Sequence, residues 1–259
     1  MRSSLKKAIG PKVITQLRTW FPSAVQKRSE LREIERKAVF YSSFIKKGDT
    51  CFDVGANVGN RIAPLLYIGA KVVAVEPQEK CAKFLKQKFG NQITLIRKGL
   101  GEAKSVKEFH ISNDSTISSF SDEWINAVKD THRFKEKNWN KAVMIEMTTA
   151  DEVIEANGIP SFIKIDVEGY ELEVLKGLTQ PIGLISFEYT VPEQPDRAIM
   201  CLNQIEKHNK NIECNYSIGE DLVWALTDWL SAEEMRNHIF SEGFNQTSFG
   251  DIYIRTKQA

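Results

Sequence analysis

Phe52-Asp53-Val54-Gly55-Ala56-Asn57-Val58-Gly59-Asn60 is the stretch from which the rest of the chain can be read. It leaves a short apolar run, Thr50–Val54, and leads into a helical pattern that starts near Arg61. A strand that turns through glycines into a helix is where doubly wound α/β folds bind nucleotides, because glycine lets the backbone turn sharply and come close to a ligand. The dinucleotide pattern GxGxxG is absent, with Ala56-Asn57 in place of the second glycine, and no Walker sequence is present. What remains is Asp-x-Gly-x-x-x-Gly. Pro64 fits a helix only within its first turn, which is why the start is placed near Arg61 rather than at Asn57.

On either side of this loop the chain alternates between apolar strands and amphipathic helices. Lys71–Val75 and Ile93–Ile96 read as strands, and the segment from Gln78 to Phe89 carries Cys81, Phe84, Leu85 and Phe89 on one helical face. The alternation resumes with a strand over Phe162–Val167, a helix from Tyr170 to Leu178, a strand from Ile182 to Tyr189 and a helix from Asp196 to His208. Continuous apolar strands between amphipathic helices predict a mostly parallel sheet covered on both faces, a doubly wound α/β fold. Ser105–Ser112 and Ala142–Thr148 alternate as strands that would add to an edge of this sheet. The polar stretch between them reads as a loop or lid with a helix around Glu123–Lys129. Near the carboxyl end, a strand-like Leu222–Leu226, a helix from Ala232 to Ser241 and a strand at Asp251–Arg255 suggest an antiparallel finish.

An acidic residue, Asp53, precedes the glycines where a phosphate binder would favour positive groups. A carboxylate there suits a ligand carrying an ammonium and a sulfonium, which is S-adenosylmethionine. Seventeen positions after Gly59, Glu76 ends the second strand, where a carboxylate can accept both hydroxyls of a ribose. A tight structural turn remains the alternative for either element alone.

Phe52–Asn60, Val72–Pro77, Leu100-Gly101 and above all Ile163-Lys164-Ile165-Asp166-Val167-Glu168-Gly169-Tyr170-Glu171 resemble the FkbM-type methyltransferases of the class I S-adenosylmethionine-dependent superfamily. The resemblance runs from about Gly48 to Tyr189. It implies a Rossmann-like sheet of seven strands with helices on both faces, and methyl transfer to an oxygen of a small molecule or sugar. It further implies that Asp53, Gly55 and Gly59 line the methionine moiety, with Asn57 in the same loop, and that Glu76 holds the ribose. Lys98-Gly99-Leu100-Gly101 should lie against the adenine, with Gly99 as the contact, although the Asp or Asn often found there is missing.

A hydroxyl acceptor must lose its proton to a general base or bind a metal. Asp166 follows a strand and is the first candidate, with a helix cap as the alternative. Glu168 is either a base or a residue that satisfies a helix dipole. His110 is a third candidate base, with a surface histidine on an edge strand as the alternative. Glu188 ends its strand and could join Asp166 around a divalent cation, but two carboxylates leave the oxygen shell incomplete. Asn113–Phe120 reads as a lid over an acceptor pocket or as a solvated loop. Trp124, Trp139, Trp224 and Trp229 flank the expected pocket and serve either as stacking platforms or as packing.

The 259 residues are 42% hydrophobic and 27% charged, which excludes collagen-like, disulfide-scaffold and wholly disordered chains. Residues 1–47 hold twelve Lys and Arg against three Glu, so the net charge of +1 conceals an acidic remainder of −8. A basic N-terminal helical segment, 1–47, therefore precedes a methyltransferase domain, 48–259. Leu5, Ile9, Val13, Leu17 and Trp20 recur at helical spacing before Pro22, and a second helix spans Ser29 to Lys46. This arm packs on the domain or touches an anionic membrane surface. An acidic body argues against nucleic acid as a partner. The four cysteines show no metal spacing, Cys51 and Cys81 read as core residues of a reducing compartment, and no secretory or membrane-spanning run is visible, so a cytoplasmic location is expected. The expected acceptor is a glycan or small metabolite. A cofactor-binding module without chemistry and a nucleic-acid methyltransferase are the alternatives.

Overall fold

A computed structural model describes residues 24–257. The helix expected over Leu5–Trp20 lies outside the described residues. The chain runs α1 (Ala24–Tyr41), β1 (Thr50–Val54), α2 (Ile62–Ile68), β2 (Lys71–Val75), α3 (Glu79–Phe89), β3 (Ile93–Ile96), β4 (Gly99–Leu100) and β5 (Ser105–Ile111). It continues through α4 (Asp122–Asp130), β6 (Lys141–Thr148), α5 (Ala150–Asn157), β7 (Phe162–Ile165), α6 (Glu171–Lys176), β8 (Leu184–Thr190) and α7 (Pro195–His208). It ends with β9 (Ile212–Ile218), β10 (Leu230–Ser231), α8 (Ala232–Ile239), α9 (Glu242–Asn245) and β11 (Phe249–Thr256).

The main sheet has the order β10-β9-β11-β8-β7-β1-β2-β3. The strands from β8 to β3 pair in parallel, and β11, β9 and β10 add antiparallel. This is a Rossmann-like doubly wound fold of seven long strands, extended by the two-residue β10. The order reverses at β1, so the carboxyl ends of β1, β2 and β7 open onto one crevice.

Because side chains alternate across a strand, each parallel strand feeds two cores. Phe52, Val54, Ile163, Ile165 and Phe187 pack on one face with α5, α6 and α7. Cys51, Phe162 and Tyr253 pack on the other with α2, α3 and the end of α1, where Tyr41 is wholly buried. All four cysteines are free and buried. Pro64 falls in the first turn of α2, where its missing N–H leaves no intrahelical bond unmade.

Two expectations are corrected. Ser105–Ser112 and Ala142–Thr148 do not join the edge of the main sheet. β5 and β6 pair antiparallel with each other, β6 also takes β4 in parallel, and the three form a separate sheet. Phe109 of β5 and Met147 of β6 close a core of their own with Phe120. Leu222–Leu226 is not a strand either: the strand of that region is β9, buried along most of its length although it carries Asn215 and Ser217. The Asn215 carboxamide holds the loop in place of a strand neighbour, donating to the Leu226 carbonyl at 2.9 Å and accepting from the Leu226 N–H at 3.2 Å.

Candidate functional site

The β1–α2 turn is built around Gly55. Its φ is +85°, and a Cβ there would stand 1.7 Å from the Asp166 carbonyl oxygen, so the two strand ends meet only because position 55 is glycine. The Gly55 and Ala56 N–H groups both donate to the Val75 carbonyl, at 3.0 and 3.1 Å, which draws the turn onto the end of β2. Glu76 lies there, 2% exposed. Its Oε2 accepts from the Asn57 N–H and its Oε1 from the Gln78 N–H, both at 2.7 Å. Burial pushes the carboxyl up to about 7, against the pull of these two bonds. A carboxylate oriented in this way still has lone pairs to offer a diol.

Two cavities meet at this turn. The first encloses about 480 Å³, part of it open to solvent, and is lined by Gly55, Asn57, Glu76, Gln78, Gly99 and Phe120 among others. The second, of about 1120 Å³ and likewise partly open, takes in Asp53, Arg61, Trp124, Arg133, Glu188 and Glu220. Gly55, Asn57, Thr116, Asp166 and Glu168 line both and form their common wall.

The strand register explains why carboxylates gather on this wall. Asp53 of β1 is the register partner of Lys164 on β7, which in turn pairs with Ser186 on β8. Two residues farther along, on the same face, come Asp166 and Glu188, with Asp251 of β11 opposite Glu188. Lys164, 1% exposed, donates to Asp166 at 3.2 Å and to Asp251 at 2.5 Å. Arg61 reaches Asp251 at 3.7 Å and Glu220 at 2.8 Å. Asp53 is 2% exposed, its Oδ2 has no hydrogen-bond partner, and burial raises its carboxyl to about 7.

After Asp166 the backbone takes a left-handed residue at Glu168, φ +55°. Its carbonyl accepts from Ser119 Oγ at 2.6 Å, and Glu171 Oε1 accepts from the Val167 and Gly169 N–H groups, both at 3.1 Å. The turn sends the Glu168 carboxyl back toward Asp166. One carboxylate oxygen from each of Asp166, Glu168 and Glu188 lies within 4.8 Å of the others. Burial first, and the nearby Asp166 second, hold Glu168 and Glu188 well above the usual carboxylate range. Neither Asp166 nor Glu168 caps α6, whose N-cap is Tyr170 without a side-chain bond.

Gly59 and His110 are not brought to either cavity. Gly59 packs under α3, where a Cβ would meet Phe89 at 2.5 Å. His110 Nε2 pairs with Asp122 at 2.9 Å in the small sheet. Gly99 does line the first cavity, with Phe120 and Met147 filling the space where its side chain would be. The Ser112–Ser121 segment closes over both cavities, and Gln78 ties it down by donating to the Ser115 carbonyl at 2.9 Å. Of the tryptophans, Trp124 lines the second cavity, Trp139 donates to the Ile117 carbonyl at 2.7 Å, and Trp224 and Trp229 pack in the core beneath α1. Nothing in the sequence spacing marks Asp251 or Gln78 as site residues, and the signal for Lys164 is a lysine inside the apolar Phe-Ile-Lys-Ile.

Residues 53–244 match the Methyltransferase FkbM domain. The chain belongs to the FkbM methyltransferase family. The FkbM match spans the glycine turn, the shared wall and the helices up to α9. Over 147 residues the sequence is 29% identical to the hexuronic acid methyltransferase AglP of Haloferax volcanii, covering 55% of each chain. The chain thus spans about half the length of the curated relative it matches. Among solved structures, the precorrin-6y C5,15-methyltransferase of Geobacter metallireducens GS-15 aligns at 12% identity and a TM-score of 0.44, covering 86% of this chain and 88% of that one. A TehB-like SAM-dependent methyltransferase of Corynebacterium glutamicum aligns at 13% and 0.41, covering 85% and 87%. Among the described residues of this FkbM chain, no helix is long and apolar enough to cross a membrane.

Proposed function

We propose that this chain transfers a methyl group from S-adenosylmethionine to a hydroxyl of a glycan or small metabolite. The observation that carries the reading is Glu76: a buried carboxylate at the end of β2, fixed by two backbone N–H groups and facing a cavity that begins at the Gly55 turn. Its remaining lone pairs suit the two ribose hydroxyls. The Gly55 backbone is bare where a Cβ would fill the wall. The unpartnered Asp53 oxygen suits a cationic group. Bound there, the cofactor would supply a sulfonium methyl for in-line attack by an oxygen nucleophile, with the neutral thioether as leaving group.

The chain's own contribution is to position and to take a proton. The second cavity shares Asp166 and Glu168 with the first, which supports an acceptor site next to the donor site, so binding itself supplies the alignment. Glu168 and Glu188 have raised proton affinity from burial, which brings them closer to what a base for an alcohol requires. Lys164 holds the neighbouring Asp166 in place. The partial match to a hexuronic acid methyltransferase supports a sugar as acceptor.

Calorimetric titration with S-adenosylhomocysteine tests this reading. Wild type is expected to bind, and Glu76→Ala to lose that binding while keeping its circular dichroism spectrum. A folded wild type that takes up no S-adenosylhomocysteine overturns it.

A further inference from the structure

Away from the two cavities, the outward face of α1 combines apolar and basic side chains. Arg28, Arg32, Glu35 and Val39 recur at helical spacing on the side turned from the body, with Leu31 beside them. All five are exposed, Leu31 at 46% and Val39 at 75%. Tyr67 of α2, 57% exposed, donates to Glu35 at 3.3 Å and lines a shallow groove with Ala38, Val39, Ser42 and Ile68. Beyond the end of the helix, Lys46, Lys47 and Lys71 are exposed as well, and the Lys47 stem lies over Gly69 at the end of α2. Three exposed apolar side chains gathered in one patch and flanked by five cations mark an interaction surface, which single scattered apolar residues do not.

Charge decides what covers this patch. Residues 1–23 hold five Lys and Arg and no Asp or Glu, so laying them on this face would set like charges together. A second copy would bring the same cations to the same place. An anionic surface answers the patch and the preceding segment at once. We propose that this face of α1 and α2 seats on an anionic lipid membrane, with Leu31, Val39 and Tyr67 entering the headgroup layer and Arg28, Arg32, Lys46, Lys47 and Lys71 meeting the lipid phosphates. Glu35 is the acidic residue on the strip, and its carboxylate is taken by the Tyr67 hydroxyl. Apolar insertion and attraction to anionic lipid are each modest alone and add on a surface that offers both. Lys37, on the opposite side of α1, pairs with Glu220 of the second cavity at 3.3 Å, so the docked face and that cavity share a helix without sharing residues.

The full chain is sedimented with vesicles of phosphatidylcholine alone and of phosphatidylcholine mixed equally with phosphatidylglycerol. It is expected to pellet with the anionic vesicles only, and less as salt rises. Leu31→Glu/Val39→Glu should weaken that binding about 10-fold or more, whereas Val106→Glu, exposed on the small sheet, should leave it unchanged. The four native cysteines are buried, so a polarity-sensitive dye on Val39→Cys reports the same face without adding charge to the chain, and its emission should shift to the blue on anionic vesicles. No binding to anionic vesicles, or binding that survives Leu31→Glu/Val39→Glu, overturns the inference. Should that variant unfold, the dye decides, and an unshifted emission overturns it. A lipid-free dimer broken by Val39→Glu gives the face to a second copy and overturns it too. None of these readouts involves S-adenosylhomocysteine, so the membrane face and the methyl-transfer reading stand or fall separately.

Discussion

Lys164 and Asp251 are joined across an intervening strand: the ammonium on β7 reaches the carboxylate on β11 at 2.5 Å, with β8 lying between them. Both side chains are 3% exposed or less, so neither has water to fall back on. Removing one partner of such a pair costs about 3–5 kcal/mol, because the other charge stays buried. Lys164→Met should therefore lose stability on that scale in urea unfolding. Lys164→Met/Asp251→Leu should recover part of it. Equal losses in the single and double variants would show that the pair is not the source.

Glu76 gives a pH dependence with a definite sign. Burial raises its folded-state carboxyl to about 7, above its unfolded value, so the folded state binds the extra proton. Its contribution to stability is therefore fully present below the unfolded pKa and is lost as pH rises through about 7. Ligand hydroxyls donate to the ionised form, so affinity for S-adenosylhomocysteine should move the other way and fall as pH drops below 7. Glu76→Gln should remove its share of both slopes. Asp53, also raised to about 7, keeps a stability slope of the same sign. An affinity profile that is flat in wild type contradicts the assignment.

The two loop glycines should separate cleanly. A Cβ at Gly55 meets backbone, the Asp166 carbonyl, which cannot rotate away. Gly55→Ala is expected to abolish S-adenosylhomocysteine binding. At Gly59 the obstacles are the Phe89 ring, which can shift, and a φ of +82° that strains any side chain, each at a cost of about 1–3 kcal/mol. Gly59→Ala should lower the unfolding midpoint yet retain binding in the folded fraction, and calorimetry on both variants decides.

His110 stands apart from both cavities, paired with Asp122. With a labelled methyl donor and a competent acceptor, His110→Gln is expected to transfer methyl groups within about twofold of wild type. A general base contributes about 100-fold or more, so a loss of that size would return the proton-accepting role to His110.

The parallel half of the sheet was legible because its strands are buried on both faces and read as apolar runs, Val72–Val75 above all, with Asp53 the one break in Cys51–Val54. β9 was not, since Asn215 and Ser217 are buried polar residues that erase the apolar signal of a strand. The small sheet was read as an edge because alternation reports which face of a strand is apolar and says nothing about which neighbour it pairs with. At the site, strand-end carboxylates could be placed one by one from the sequence. Their company could not: Lys164 and Asp251 are 87 residues apart, and Glu168 joins Asp166 only through a backbone turn that its side chain does not announce.

The common wall has a consequence for how such a site can change its acceptor. At Gly55 it is a single backbone thick, whereas the far side of the second cavity comes from separate, later parts of the chain: Trp124, Arg133 and Phe134, then Thr190, then Glu220 and Phe249. None of those side chains takes part in the two hydrogen bonds that fix Glu76, so one of them can be exchanged without undoing that carboxylate's orientation. The molecule thus separates a fixed glycine turn from the side chains around its second cavity, and on the proposed reading a new acceptor specificity would come from single side-chain exchanges on the far wall rather than from any change at Gly55.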